Sequence, residues 1–169
     1  MMSTRHNFAP ALCLGIALAA AAAAAGCRLL TASPPFQYLS AGLVVGKTDC
    51  HELVGIHYSV RNLANRDISA LHASFSLFDS EGNQLPKPGD NYFDLAYSEA
   101  IPAGTEWDIC TSLDTAFFYR PEITLVAERF RIYRVEFADG SSWSDPLALY
   151  CFPYDITSQT FGRTEANLR

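Results

Sequence analysis

Residues 128–144 read Glu-Arg-Phe-Arg-Ile-Tyr-Arg-Val-Glu-Phe-Ala-Asp-Gly-Ser-Ser-Trp-Ser, and this stretch decides the fold class. Arg131, Tyr133, Val135 and Phe137 alternate with Phe130, Ile132, Arg134 and Glu136, the period of two that sends successive side chains to opposite faces of a strand. Asp139-Gly140 supplies a tight turn, because glycine accepts a positive φ, and residues 142–150 return as the second arm of a hairpin. The same alternation runs upstream. Val54, Ile56, Tyr58 and Val60 share one face, opposed by Gly55, His57, Ser59 and Arg61; Leu71, Ala73, Phe75 and Leu77 share another, opposed by His72, Ser74 and Ser76. Further strands near 38–46, 92–101 and 105–112 bring the total to about seven, separated by turns at regular intervals. Pro86, Pro88 and Gly89 break one stretch into an edge or crossover, and a short helical turn fits 114–118. The fold class is therefore all-β, a two-sheet antiparallel sandwich, with a closed barrel of similar size as the alternative.

Composition removes other classes. The chain has 169 residues, 49% hydrophobic, 12% aromatic and 18% charged, with a formal charge of −6. Eleven Phe and eight Tyr spread over the length argue for a packed core against disorder. The acidic balance, with no basic stripe, argues against a nucleic-acid partner, since phosphate tracking needs clustered Lys and Arg. Arg129, Arg131 and Arg134 are the local exception, but Glu128 and Glu136 flank them and alternation divides them between two faces.

Much of the apolar total lies in residues 1–26. Arg5 and His6 precede an apolar run over 9–25 that ends in seven alanines, the n-region and h-region of a secretory signal and too weakly hydrophobic for a spanning helix. Ala24-Ala25-Gly26-Cys27 resembles the lipobox of bacterial lipoprotein precursors, with Ala24 where that family usually has Leu. The resemblance implies removal of residues 1–26, diacylglyceryl modification of Cys27 and attachment to the membrane through the lipid; ordinary signal cleavage would leave Cys27 a plain thiol. Arg28 follows, where retention at the inner membrane looks for Asp, which points to the outer membrane. Residues 27–37 then read as the lipidated Cys and a Pro-bearing tether, 38–155 as the domain, and 156–169 as a flexible tail.

Within the domain, Phe75-Ser-Leu-Phe-Asp79 resembles the F-x-L-Y-D signature of small bacterial immunoglobulin-like domains, with Phe78 in place of Tyr. Gly55 to Asn62, Glu81-Gly-Asn83 and Ile101-Pro-Ala-Gly104 resemble the strand, hairpin and turn that surround that signature, over about residues 52–113. The resemblance implies an immunoglobulin-like sandwich acting as a spacer, adhesion or contact module, with an envelope protein as partner and no catalytic residues.

Chemistry-bearing residues are sparse. Cys50, Cys110 and Cys151 remain after processing, an odd number; Cys50–Cys151 is the favoured disulfide because it would clip both ends of the domain, and three reduced thiols is the alternative. No C-x-x-C spacing marks a zinc site, and no cofactor or metal is expected. His57 and His72 fall on outward faces of strands taken as neighbours and, with the acids at turns, are the basis for a second reading as a small ligand- or metal-binding accessory protein of an enzyme or transport system; His51 follows Cys50. Asp79, Asp114 and Asp139 belong to turns, where Asp caps backbone N–H groups. No nucleophile elbow, H-E-x-x-H or phosphate loop is present, so an enzyme is not expected. Phe117, Phe118 and Tyr119 lie in a connection, as contact aromatics or as plugs of the core. Intact mass from a lipidating host should match residues 27–169 plus acyl chains, and Cys27→Ala should abolish the added mass; an unmodified wild-type product would remove the anchor.

Overall fold

The alternating stretches become strands in a computed structural model that describes residues 33–87 and 89–160. The leader, Cys27, most of the tether and residues 161–169 of the expected tail lie outside the described residues. The strands are β1 (Phe36–Val45), β2 (Val54–Asn62), β3 (Ile68–Asp79), β4 (Tyr92–Tyr97), β5 (Glu106–Ser112), β6 (Leu125–Phe137), β7 (Ser142–Ser144) and β8 (Ile156–Thr160), with one 3-10 turn at Asp114–Ala116. They join in a single curled path, β4-β3-β6-β8-β1-β2-β5, with β7 paired to β6. The domain is all-β, as the alternation predicts.

Two features differ from the sequence reading. The hairpin return is only three residues long, and the last strand is β8, which starts at residue 156 where a tail was expected. Ile156 is buried and the Ser158 hydroxyl accepts the Leu125 N–H at 2.9 Å, so this segment is held by both packing and a ladder-end hydrogen bond. The sheet is also mixed: β8 runs antiparallel to β6 but parallel to β1, joining the two halves of the path.

The period of two does not run unbroken through β6. Leu125, Ala127, Phe130, Ile132, Val135 and Phe137 are all buried, which requires two slips of one residue. Both occur where β6 carries an extra residue against β3, between the pairs Ser76–Glu128 and Ser74–Arg131, and between Ala73–Ile132 and His72–Arg134. A bulge of this kind turns the strand by one residue and restores the apolar phase. Arg129, at the first slip, has φ of 55°, the left-handed region that non-glycine residues seldom enter. Phe130 thus reaches the core, with its ring centroid 5.1 Å from that of Tyr58. Tyr38 adds a cross-link: its hydroxyl accepts the Ile132 N–H at 2.6 Å and donates to the Tyr150 carbonyl at 3.3 Å.

Polar side chains close the turns. Asn62 is fully buried; its amide donates to the carbonyls of Arg66 at 2.9 Å and Ile101 at 3.1 Å, and its Oδ1 accepts the Ala64 N–H at 2.9 Å. The Asn83 side-chain amide donates to Asp79 Oδ2, and Asp79 Oδ1 accepts the N–H groups of Asn83 and Glu81; together these bonds hold the carboxyl below its usual value and fix the hairpin after β3. Asn62→Ala should strand buried carbonyls and cost about 2 kcal/mol in urea denaturation; an unchanged midpoint would show that these bonds are replaced by solvent.

Candidate metal centre

The β2–β5 ladder places His57 directly opposite Cys110, with Ser59 opposite Asp108 and Gly55 opposite Ser112. Alternation turns Gly55 and His57 to the same face of β2, away from the buried Ile56 and Tyr58. The β1–β2 loop brings Cys50 and His51 over that face.

Several contacts fix the loop. The Gly46 N–H donates to the Leu53 carbonyl and the Thr48 N–H to the His51 carbonyl, each at 2.8 Å. The Thr48 hydroxyl accepts the Cys50 N–H at 3.3 Å, and Lys47 pairs with Glu52 at the surface. The strongest anchor is Asp114 in the 3-10 turn just after β5. Its carboxylate accepts the N–H groups of Glu52 at 2.7 Å, Leu53 at 2.8 Å and Val54 at 3.0 Å. Burial acts to raise the Asp114 pKa, but these three donors and the Ser112 hydroxyl outweigh it and hold the carboxyl at about 2.

His51 is 4% exposed, and its ring lies against the backbone of β2 where Gly55 has no side chain. A Cβ on Gly55 would come within 2.0 Å of the imidazole carbon, so glycine is needed here for the ring to fit. The His51 Nε2 is 3.1 Å from His57 Nε2, which is in turn 3.4 Å from Cys110 Sγ. Cys50 and Cys110 are joined as a disulfide. One donor atom from each of Cys50, His51, His57 and Cys110 lies within 4.8 Å of all the others. The His51 Nδ1 is buried without a hydrogen-bond partner. Burial and then the neighbouring His51 lower the His57 pKa, which favours the neutral imidazole with a free lone pair.

Two cysteines and two histidines are the donor set of tetrahedral zinc and of other borderline or soft ions. With metal–nitrogen and metal–sulfur bonds of about 2.0 and 2.3 Å, the edges of such a tetrahedron are about 3.3 Å between nitrogens and about 3.5 Å between nitrogen and sulfur. The 3.1 and 3.4 Å separations are close to those edges; the two sulfurs, bonded to each other in the disulfide, would have to part to about 3.8 Å for all four donors to hold one ion.

This arrangement corrects two expectations. Cys50 pairs with Cys110, not with Cys151. Residues after β7 do not continue as a strand: the buried Asp145 carboxylate captures the N–H groups of Leu149 and Tyr150, and the chain turns at Ala148, φ 54°. Cys151 is left bridged to Arg131 of β6, with its thiol donating to the Ala148 carbonyl. Nor do His57 and His72 meet, because β2 and β3 are not neighbours; His72 contacts Glu136 at 3.2 Å instead. The acids at turns Asp79 and Asp139 bind backbone N–H groups of their own turns. The aromatic trio divides, with Phe117 packed against the core and Phe118 and Tyr119 exposed.

Comparison with protein-family models gives no match, and comparison with curated proteins gives none. The Asp114 anchor sets an acid limit on the loop. A carboxyl whose pKa is lowered by folding adds stability in full above its usual value of 3.8, and that contribution is lost as pH falls toward 2. Amide exchange at Glu52, Leu53 and Val54 should therefore accelerate over that window, and Asp114→Ala should reproduce the acceleration at neutral pH; equal protection in the variant would show that the loop is held elsewhere.

Proposed function

We propose that this protein is a non-catalytic metal-binding module of the bacterial envelope, exported and lipid-anchored through Cys27, whose immunoglobulin-like sandwich carries a Cys50/His51/His57/Cys110 centre for zinc or a similar thiophilic ion. The observation that carries the metal reading is the convergence of four donors from three separate segments within 4.8 Å, with a buried imidazole among them. The Nε2 atoms of His51 and His57 face each other at 3.1 Å, and an ion between them would draw the lone pairs of both imidazoles. The leader residues Ala24 to Cys27 support export and anchoring, and Arg28 supports the outer membrane as destination. The Asn62 and Asp79 contacts support the immunoglobulin-like assignment, since each gives a physical role to a residue of the resembling motifs. A contact role toward an envelope protein is the second reading, favoured by the exposed Phe118 and Tyr119.

The mature protein, reduced with a thiol, should bind one Co²⁺ per chain and show a sulfur-to-metal charge-transfer band. His57→Ala removes a donor and Gly55→Ala keeps all four but displaces the His51 ring; each should weaken binding by about tenfold or more. No stoichiometric binding, or binding indifferent to both substitutions, would overturn the assignment.

A further inference from the structure

We propose that the Cys50–Cys110 pair is a redox gate on the metal centre: the disulfide closes the site and the dithiol opens it. The inference rests on the metal-binding reading above and adds a regulation to it. The same two sulfur atoms serve both states. As a disulfide they offer no thiolate, and the site is reduced to two imidazoles; as a dithiol they complete the four-donor set.

Three observations distinguish a gate from a simple staple. First, the partners are held together without the bond. Cys110 is fixed opposite His57 by the β2–β5 ladder, and Asp114 clamps the three residues that follow His51. Reduction therefore leaves the thiols beside the imidazoles, and the site is preorganised for an ion. Second, the bond is accessible. Cys50 is exposed and Cys110 partly so, and both line an open cleft with Lys47, Thr48 and Asp49 through which a thiol can reach the sulfur. Third, a disulfide that only joined the loop to β5 would have no use for His51, whose ring is accommodated by a glycine in β2 and whose Nε2 lies 3.1 Å from that of His57.

The chemistry balances with a thiol or disulfide co-reactant. A dithiol delivers two electrons and two protons, breaks the Cys50–Cys110 bond and is itself oxidised to a disulfide. The two new thiols release their protons to solvent as a divalent ion binds. In the other direction a disulfide takes two electrons from the bound thiolates and, with two protons, becomes two thiols; the Cys50–Cys110 bond forms and the ion leaves.

The test uses the mature protein carrying Cys151→Ser, so that the remaining free thiol of the domain does not contribute. Zn²⁺ affinity is measured against a chromophoric chelator after equilibration in reduced or oxidised glutathione, with circular dichroism to follow the fold. The reduced form should bind one Zn²⁺ per chain, and the oxidised form should bind more than about 100-fold more weakly, because loss of two direct ligands exceeds the effect of changing an outer one. Oxidised glutathione added to the Zn²⁺-loaded protein should release the ion in step with the loss of thiols. Cys50→Ser cannot form the disulfide, and its Zn²⁺ affinity should not respond to the glutathione ratio. Equal affinities of the two redox forms would overturn the gate while leaving the metal site standing. Binding by neither form would overturn both, and a redox response persisting in Cys50→Ser would assign the effect to another group.

Discussion

The pairing of β3 with β6 is the constraint on which the other strands depend. These are the two longest strands, and between them they contribute Leu71, Ala73, Phe75, Leu77, Phe130, Ile132 and Val135 to the core. A straight strand over 13 residues would present Phe130 and Ile132 to one side and Val135 and Phe137 to the other. The slips at Arg129 and Tyr133 bring all of them inward and bend the strand, which lets the sheet curl until β8 can join β6 on one side and β1 on the other. Buried aromatic rings then fill the space enclosed, and β4 and β5 are left as the edges of the path.

Most of this architecture is legible in local pattern. The alternation over 54–61 and 71–77, the turn at Asp139-Gly140 and the helical turn near Asp114 all correspond to observed elements, because each depends on a few adjacent residues. The phase of β6 is not legible in the same way. Arg131, Tyr133, Val135 and Phe137 form an unbroken series on paper, and only the partner strand shows where an extra residue is looped out. The last strand was hidden for a related reason. Residues 156–160 are mostly polar, and their place is set by the ladder with β6 and the parallel register with β1 rather than by their own hydrophobicity.

The candidate metal centre is half visible in the sequence. Alternation already sent His57 outward from β2 and Cys110 to the opposite parity from Ile109, so each residue faced the correct way. What the chain does not announce is that β2 lies beside β5, or that the loop following β1 folds over that face. Cys50 and Cys110 are 60 residues apart, far outside the short spacings by which zinc sites are recognised. Gly55 was the available clue: a glycine in a strand of otherwise full side chains marks close approach by another group, and here that group is the His51 ring.

The direction of β1 has a mechanical consequence. The chain enters the domain at Phe36, and the loop bearing Cys50 and His51 leaves at the far end, after Val45. Ten residues of strand separate the two, about 30 Å at the usual rise. A force applied to the chain on the N-terminal side of Phe36 would thus be taken up first by the Phe36 end of the β1–β2 ladder, where Phe36 pairs with Asn62 and its ring is buried. The donors lie at the opposite end of that ladder, away from a load applied at Phe36.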